Sequence, residues 1–180
     1  MSNKRSAGVA FFATTIGLCL ALPAAAAWTA RGERNVTFHA TGPGGLAIEG
    51  TGTDVTVREQ DKTVQVSVGL GALKTGIDLR DRHMKEKYLE TPKYPRAELT
   101  VARSKLALPG EGDADGSLTL HGVTRPVRVH YIAKGTEKEL LVNGTLKLNM
   151  KEFGIQVPSY LGVTVKPDVS VNVRFRAVDG

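Results

Sequence analysis

Val169-Ser170-Val171-Asn172-Val173-Arg174-Phe175 alternates apolar and polar residues without a break. Successive side chains of a strand point to opposite faces, so this stretch has one dry face and one wet face. The same period of two recurs upstream. Val36, Phe38 and Ala40 alternate with Thr37 and His39, and Val64, Val66, Val68 and Leu70 with Gln65, Ser67 and Gly69. Val127, Val129 and Tyr131 alternate with Arg128 and His130, and Leu146, Leu148 and Met150 with Lys147 and Asn149. Shorter segments at Val55–Val57, Leu99–Val101 and Leu118–Leu120 read the same way.

The pattern predicts about eight or nine strands separated by Gly, Pro, Asp and Asn clusters. Gly42-Pro43-Gly44-Gly45, Pro109-Gly110-Glu111-Gly112-Asp113 and Gly135-Thr136-Glu137 are the turn candidates. One wet face per strand argues for antiparallel pairing, because parallel strands read as continuous apolar runs. An all-β chain of this kind has two solutions: a sandwich of two sheets, or one sheet closed on itself. One segment breaks the period. Asp81 to Glu90 is rich in helix formers, places Met84 and Tyr88 four apart, and is followed by Pro92. It predicts one short helix across an end of the sheet, with Asp81 accepting from free backbone N–H groups at its start.

The first 26 residues read as an export signal rather than as fold. Lys4 and Arg5 precede an apolar stretch from Val9 to Leu22, and Pro23 leads into the alanine run Ala24–Ala27. A positive start, an apolar middle and a small-residue end form the secretory pattern, with cleavage expected after Ala26 and residues 27–180 left as one domain. The apolar stretch is shorter than the roughly 20 residues of a membrane span, so stable membrane insertion is not expected. The sole cysteine, Cys19, lies in the signal and follows Leu18 rather than a small residue, which argues against a lipid-modified cysteine. Residues 27–180 therefore carry no disulfide, thiol nucleophile or cysteine metal site. The expected location is the periplasm or the exterior.

Four stretches together resemble the YceI-like family of exported lipid- or polyisoprenoid-binding proteins. They are Lys74 to Met84, Pro92-Lys93-Tyr94-Pro95, Gly116 to Val127 with its Leu120-His121-Gly122-Val123-Thr124-Arg125-Pro126 core, and Met150 to Ile155 before Pro158. The resemblance implies a single antiparallel eight-stranded lipocalin-like barrel, often dimeric, with an apolar tunnel holding an isoprenoid or fatty-acyl chain. The N-terminal part, Arg34 to Gly50, is short, glycine-rich and departs from the family pattern.

An eight-stranded barrel is either filled by its side chains or holds one small ligand. Alternation alone does not choose between these. With 6% aromatic residues and one tryptophan, Trp28, the inward side chains are mostly Val and Leu, which leave room along the axis. By alternation and nearness to the four stretches, the inward candidates are Phe38, Val66, Val68, Leu99, Leu120, Val129, Leu148, Val171 and Val173. Leu79, Met84, Tyr88, Phe153 and Tyr160 are candidates for the barrel ends. Phe153 and Tyr160 serve equally as a mouth lining or as a plug. Arg80 and Arg82 are the candidates for a polar headgroup, since arginine matches phosphate geometry. The other reading is a solid module that acts through its outer surface.

Catalysis and cofactors find little support. Asp81 and His83 are too few to guarantee a metal site. His121 lacks a nucleophile or a paired carboxylate in any recognisable motif and reads as a turn residue before Gly122. His39 and His130 fall on wet faces. The formal charge is +6, and Arg80, Arg82, Lys85, Lys87, Lys93 and Arg96 cluster around the helical segment. Glu86, Glu90 and Glu98 interleave with them and only Tyr88 and Tyr94 are near, unlike a nucleic-acid platform. The expected partner is a lipid-like small molecule.

Overall fold

The computed structural model describes residues 28–136, 138–160 and 163–179. The export-signal reading of residues 1–26 lies outside them. The strands are β1 (Trp28–Thr41), β2 (Ala47–Gly52), β3 (Val55–Gln60) and β4 (Thr63–Gly69) before a short helix, α1 (Asp78–His83). After it come β5 (Arg96–Ala102), β6 (Gly110–Leu120), β7 (Val123–Thr136), β8 (Glu139–Asn149), a small hairpin of β9 (Ser159–Tyr160) and β10 (Val163–Thr164), and β11 (Asp168–Asp179).

Neighbours in sequence pair antiparallel from β3 through to β8, β8 pairs with β11, and β11 pairs with β1 from Trp28↔Asp179 to Ala40↔Val169. That last seam closes the sheet. Of the two architectures the alternation allows, the chain adopts the eight-position barrel. Among the described residues, closure leaves the short β2 as the only strand of the wall with an outer edge, which limits the usual hazard of edge-to-edge pairing.

One wall position is shared. Along a single edge of β1, β3 pairs near its start (Thr29↔Arg58) and β2 pairs nearer its end (Val36↔Gly52 to Thr41↔Ala47). The corner between β2 and β3 is held by Arg96 on β5. Its guanidinium donates to both Asp54 carboxylate oxygens (3.1 and 3.3 Å) and to the Ser67 hydroxyl (2.6 Å). Gly69 makes this possible, since a Cβ there would fall 1.8 Å from Asp54 Oδ2. Beside β2, Thr51 and Lys74 exchange backbone hydrogen bonds of 2.8 Å and lead the chain into α1. The glycine-rich N-terminal part is thus a long strand with a bulge between Arg31 and Arg34, followed by a glycine turn.

Two sequence expectations are corrected. Pro109 to Asp113 is not a turn: β6 begins at Gly110, and Gly112 lies opposite Tyr131 on β7. The Tyr131 ring lies across Gly112, where a Cβ would make ordinary contact with Oη at 3.4 Å. The turn residues precede it, in the Arg103–Pro109 connection. The helix also starts earlier than Asp81. α1 begins at Asp78 and continues as a π-helical turn over Met84–Tyr88. Asp81 sits inside it and does not cap it. Its carboxylate accepts from the Thr75 backbone N–H (2.7 Å) and hydroxyl (2.5 Å) in the preceding loop.

Candidate functional site

The barrel has two unlike ends. At the helix end lie α1, the β6–β7 turn and the Met150–Pro167 connection. At the far end lie the β3–β4 and β7–β8 turns, the Arg103–Pro109 loop, and the paired residues Trp28 and Asp179.

The helix end is packed. Phe153 is 1% exposed, and Ile155, Leu70, Leu73, Leu118 and Leu120 are buried with it. His121 staples three segments there. Its Nε2 lies 2.9 Å from Glu90 Oε2, its Nδ1 3.3 Å from the Phe153 carbonyl, and its ring packs on Tyr94 with centroids 4.5 Å apart. His121 and Gly122 both take positive φ (53° and 76°), as a two-residue hairpin turn demands. This histidine is a structural turn residue that locks the end shut.

The far half is hollow. About 90 Å³ of free interior is lined on β3–β5 by Val57, Val64, Val66, Leu99 and Val101, and on β7 by Val129 and Tyr131. Leu140, Val142, Gly144 and Leu146 of β8, and Val171, Val173, Phe175 and Ala177 of β11, complete the wall, with Trp28, Leu106 and Leu108 at the end. Val66, Leu99, Val142, Val171 and Val173 face inward yet are only half-buried, as residues around an empty space must be. The lining is apolar, aliphatic apart from Trp28, Tyr131 and Phe175, and Tyr131 carries its only hydroxyl. Gly144 widens the hollow, since a Cβ there would meet just Val129 Cγ1 at 3.8 Å. A void of this character is poorly hydrated and has the shape and polarity to accommodate an apolar group.

The inward candidates from the sequence all join the core or pack against it. Val66, Leu99, Val129, Val171 and Val173 line the hollow. Phe38, Val68, Leu120 and Leu148 are not among its lining residues, and Phe38 lies over Gly50, where a Cβ would stand 2.2 Å from its ring. Met84 and Tyr88 pack on the core at the helix end, and Phe153 plugs that end. Leu79 is 58% exposed. Tyr160 belongs to β9, and its side chain lies outside the description. Arg80 is committed locally: Nε donates to the Thr75 hydroxyl (2.8 Å) and an amino group to the Thr75 carbonyl (2.9 Å). Arg82 is exposed. Both arginines stand at the packed end, away from the hollow.

Burial pushes the Asp81 carboxyl up, but the Thr75 hydroxyl and N–H, with Lys85 and Arg80, outweigh it and hold the group below its usual value. The cluster therefore fastens the α1 loop. Among the described residues, no three His, Cys, Asp or Glu side chains converge as metal ligands would, and no helix is long and apolar enough to cross a membrane. His39 pairs with Glu49 at 3.1 Å and His130 with Asp113 at 3.0 Å, both on the outer surface.

Sequence reasoning passed over Leu106, Leu108, Leu140, Val142 and Gly144. Leu140 and Val142 continue the period of Leu146 and Leu148, a readable signal. Leu106 and Leu108 sit in a loop, where alternation has no structural meaning until the loop is seen to fold over the barrel.

A closed antiparallel barrel with an apolar hollow is a lipocalin-like fold. The chain belongs to the YceI-like domain family, whose model matches residues 29–177. It is similar to a UPF0312 protein of Pseudomonas savastanoi pv. phaseolicola, with 30% identity over 129 residues, 68% of this chain and 67% of that one. Among solved structures it resembles a polyisoprenoid binding domain from Saccharophagus degradans (TM-score 0.69, 15% identity, 86% of this chain and 99% of that one). It also resembles BcnA of Burkholderia cenocepacia (TM-score 0.66, 14% identity, 81% and 96%).

Proposed function

We propose that this protein holds the apolar chain of a lipid-like amphiphile in the hollow half of its barrel, outside the cytoplasm, and catalyses no reaction. The observation that carries this is the apolar cavity between Val171 and Val173 on one wall and Val66 and Leu99 on the other. Each methylene moved from water into such a space gains about 0.8 kcal/mol. Several of them offset the cost of immobilising a ligand. The free volume of about 90 Å³ sets the length: the hollow admits a short chain or the end of a longer one. The structural likeness to a polyisoprenoid binding domain supports the same ligand class. The positive start, apolar middle and alanine run of residues 1–26 support export.

Organic extraction and native mass spectrometry of purified protein test the reading. A co-purifying lipid, or a rise in melting temperature with added isoprenoid or fatty-acyl compounds, is the expected result. Neither a bound lipid nor any stabilisation by such compounds would leave the barrel a solid-core module working through its outer surface, and would end the proposal.

A further inference from the structure

Tyr131 is the one hydroxyl-bearing residue in the lining of the hollow, and it is buried. Its oxygen accepts a hydrogen bond from the Ala107 backbone N–H at 2.8 Å. Ala107 stands between Leu106 and Leu108, which both line the cavity, so the phenol oxygen lies at the rim where the Arg103–Pro109 loop folds over the barrel. A phenol is donor and acceptor at once. Among the described residues, the Tyr131 oxygen has a donor but its own proton has no acceptor. The loop around it carries cations. Arg103 donates to the Leu106 carbonyl at 3.0 Å and pairs with Glu59 at 3.7 Å, and the half-exposed Lys105 stands 4.0 Å from the exposed Asp115 carboxylate. The helix end offers no comparable rim, because Phe153 and Ile155 close it.

We infer that the Tyr131 hydroxyl is the polar anchor of the cavity: it donates its proton to an oxygen of a carboxylate or phosphate at the end of a bound chain. The ligand class is then an anionic amphiphile, inserted tail first from the far end, its head at the rim beside Arg103 and Lys105. This rests on the proposed function and assigns its polar subsite to the end opposite Arg80 and Arg82. Hydrogen bonds between a neutral donor and an ionised acceptor are among the stronger ones, so the anchor discriminates between heads as well as adding affinity.

The test is Tyr131→Phe, which keeps the ring and deletes the hydroxyl. Calorimetric titration compares wild type and variant with dodecanoate, geranyl phosphate and dodecyltrimethylammonium, each below its aggregation concentration. The ammonium compound offers a chain of similar length and no acceptor. The expected result is a loss of about tenfold or more for one or both anionic ligands, with the ammonium ligand changed by less than about threefold. Loss for dodecanoate alone identifies a carboxylate head, and loss for geranyl phosphate alone a phosphate head. Equal losses for all three would show that the hydroxyl only holds the Ala107 loop, and would overturn the inference. So would no loss for any. If wild type takes up none of the three, the carrier reading falls and the anchor falls with it. Uptake by wild type with no selective loss sinks the anchor alone.

Discussion

Val171 is the position at which a hollow barrel and a solid one respond most differently. It lies on β11 between Phe38 of β1 and Leu146 of β8, and its side chain borders the free space. In a close-packed interior, Val171→Trp forces neighbouring side chains off their rotamers and costs about 1–3 kcal/mol. For a domain of this size that lowers the melting temperature by roughly 2–4 °C for each kcal/mol. Here the added rings enter about 90 Å³ of existing space, so the melting temperature is expected to stay within about 3 °C of wild type. The same rings take the place of ligand. If they displace four methylenes at about 0.8 kcal/mol each, binding weakens by about 3 kcal/mol, or roughly 200-fold. Thermal unfolding followed by circular dichroism and displacement of a fluorescent fatty acid measure the two quantities. Unchanged affinity in a folded variant would refute the placement of the chain. A drop clearly beyond about 3 °C would refute the emptiness of the site.

Three further outcomes follow from particular contacts. Gly144→Leu adds a side chain that points into the hollow with ordinary contact to Val129; it is expected to hold or raise the melting temperature while shortening the longest chain that binds, read from a fatty-acid length series. Gly135→Ala is expected to destabilise by about 1–3 kcal/mol in urea, because Gly135 has φ 136° and a Cβ there would stand 2.2 Å from the backbone oxygen of Glu139; a change under about 0.5 kcal/mol would contradict that geometry. Asp81 contributes stability that is present above the usual carboxylate value of 3.8 and is lost as pH falls through its lower folded value. Asp81→Asn should therefore cost about 1–3 kcal/mol near pH 7 and much less at a pH below the lowered folded value of Asp81. Urea unfolding at both pH values reads the difference, and an equal loss at both would show that Asp81 does not act through its charge.

How far the sequence speaks depends on what each residue is asked to do. Alternation through Val169–Phe175 and Leu146–Met150 identifies strands directly, because a half-wet sheet has no other way to bury one face. Gly110 and Gly112 misled, since both lie inside β6: a Cβ on Gly110 would stand 2.7 Å from the Ala107 carbonyl oxygen, and Gly112 lies opposite Tyr131. The helix start was misplaced because Asp81 serves the Thr75 loop rather than a helix end. The hollow itself was not legible. Inward valines and leucines occur in both halves of the barrel, and the difference is made by Phe153 and Ile155, which arrive from a connection to fill one half, and by Gly144, which leaves the other unfilled.

The seam between β1 and β11 joins the first described strand to the last. Wall contacts from β3 to β8 link neighbours and are available as the chain emerges from the ribosome, but this ladder must wait until β11 has been synthesised. Pairings of such high contact order form slowly. Before that moment the nascent chain is an unclosed ribbon with β1 unzipped from β11, a state that an unfolding motor or a narrow translocation pore can still thread. Once the seam shuts, extraction has to break a continuous girdle of hydrogen bonds at once.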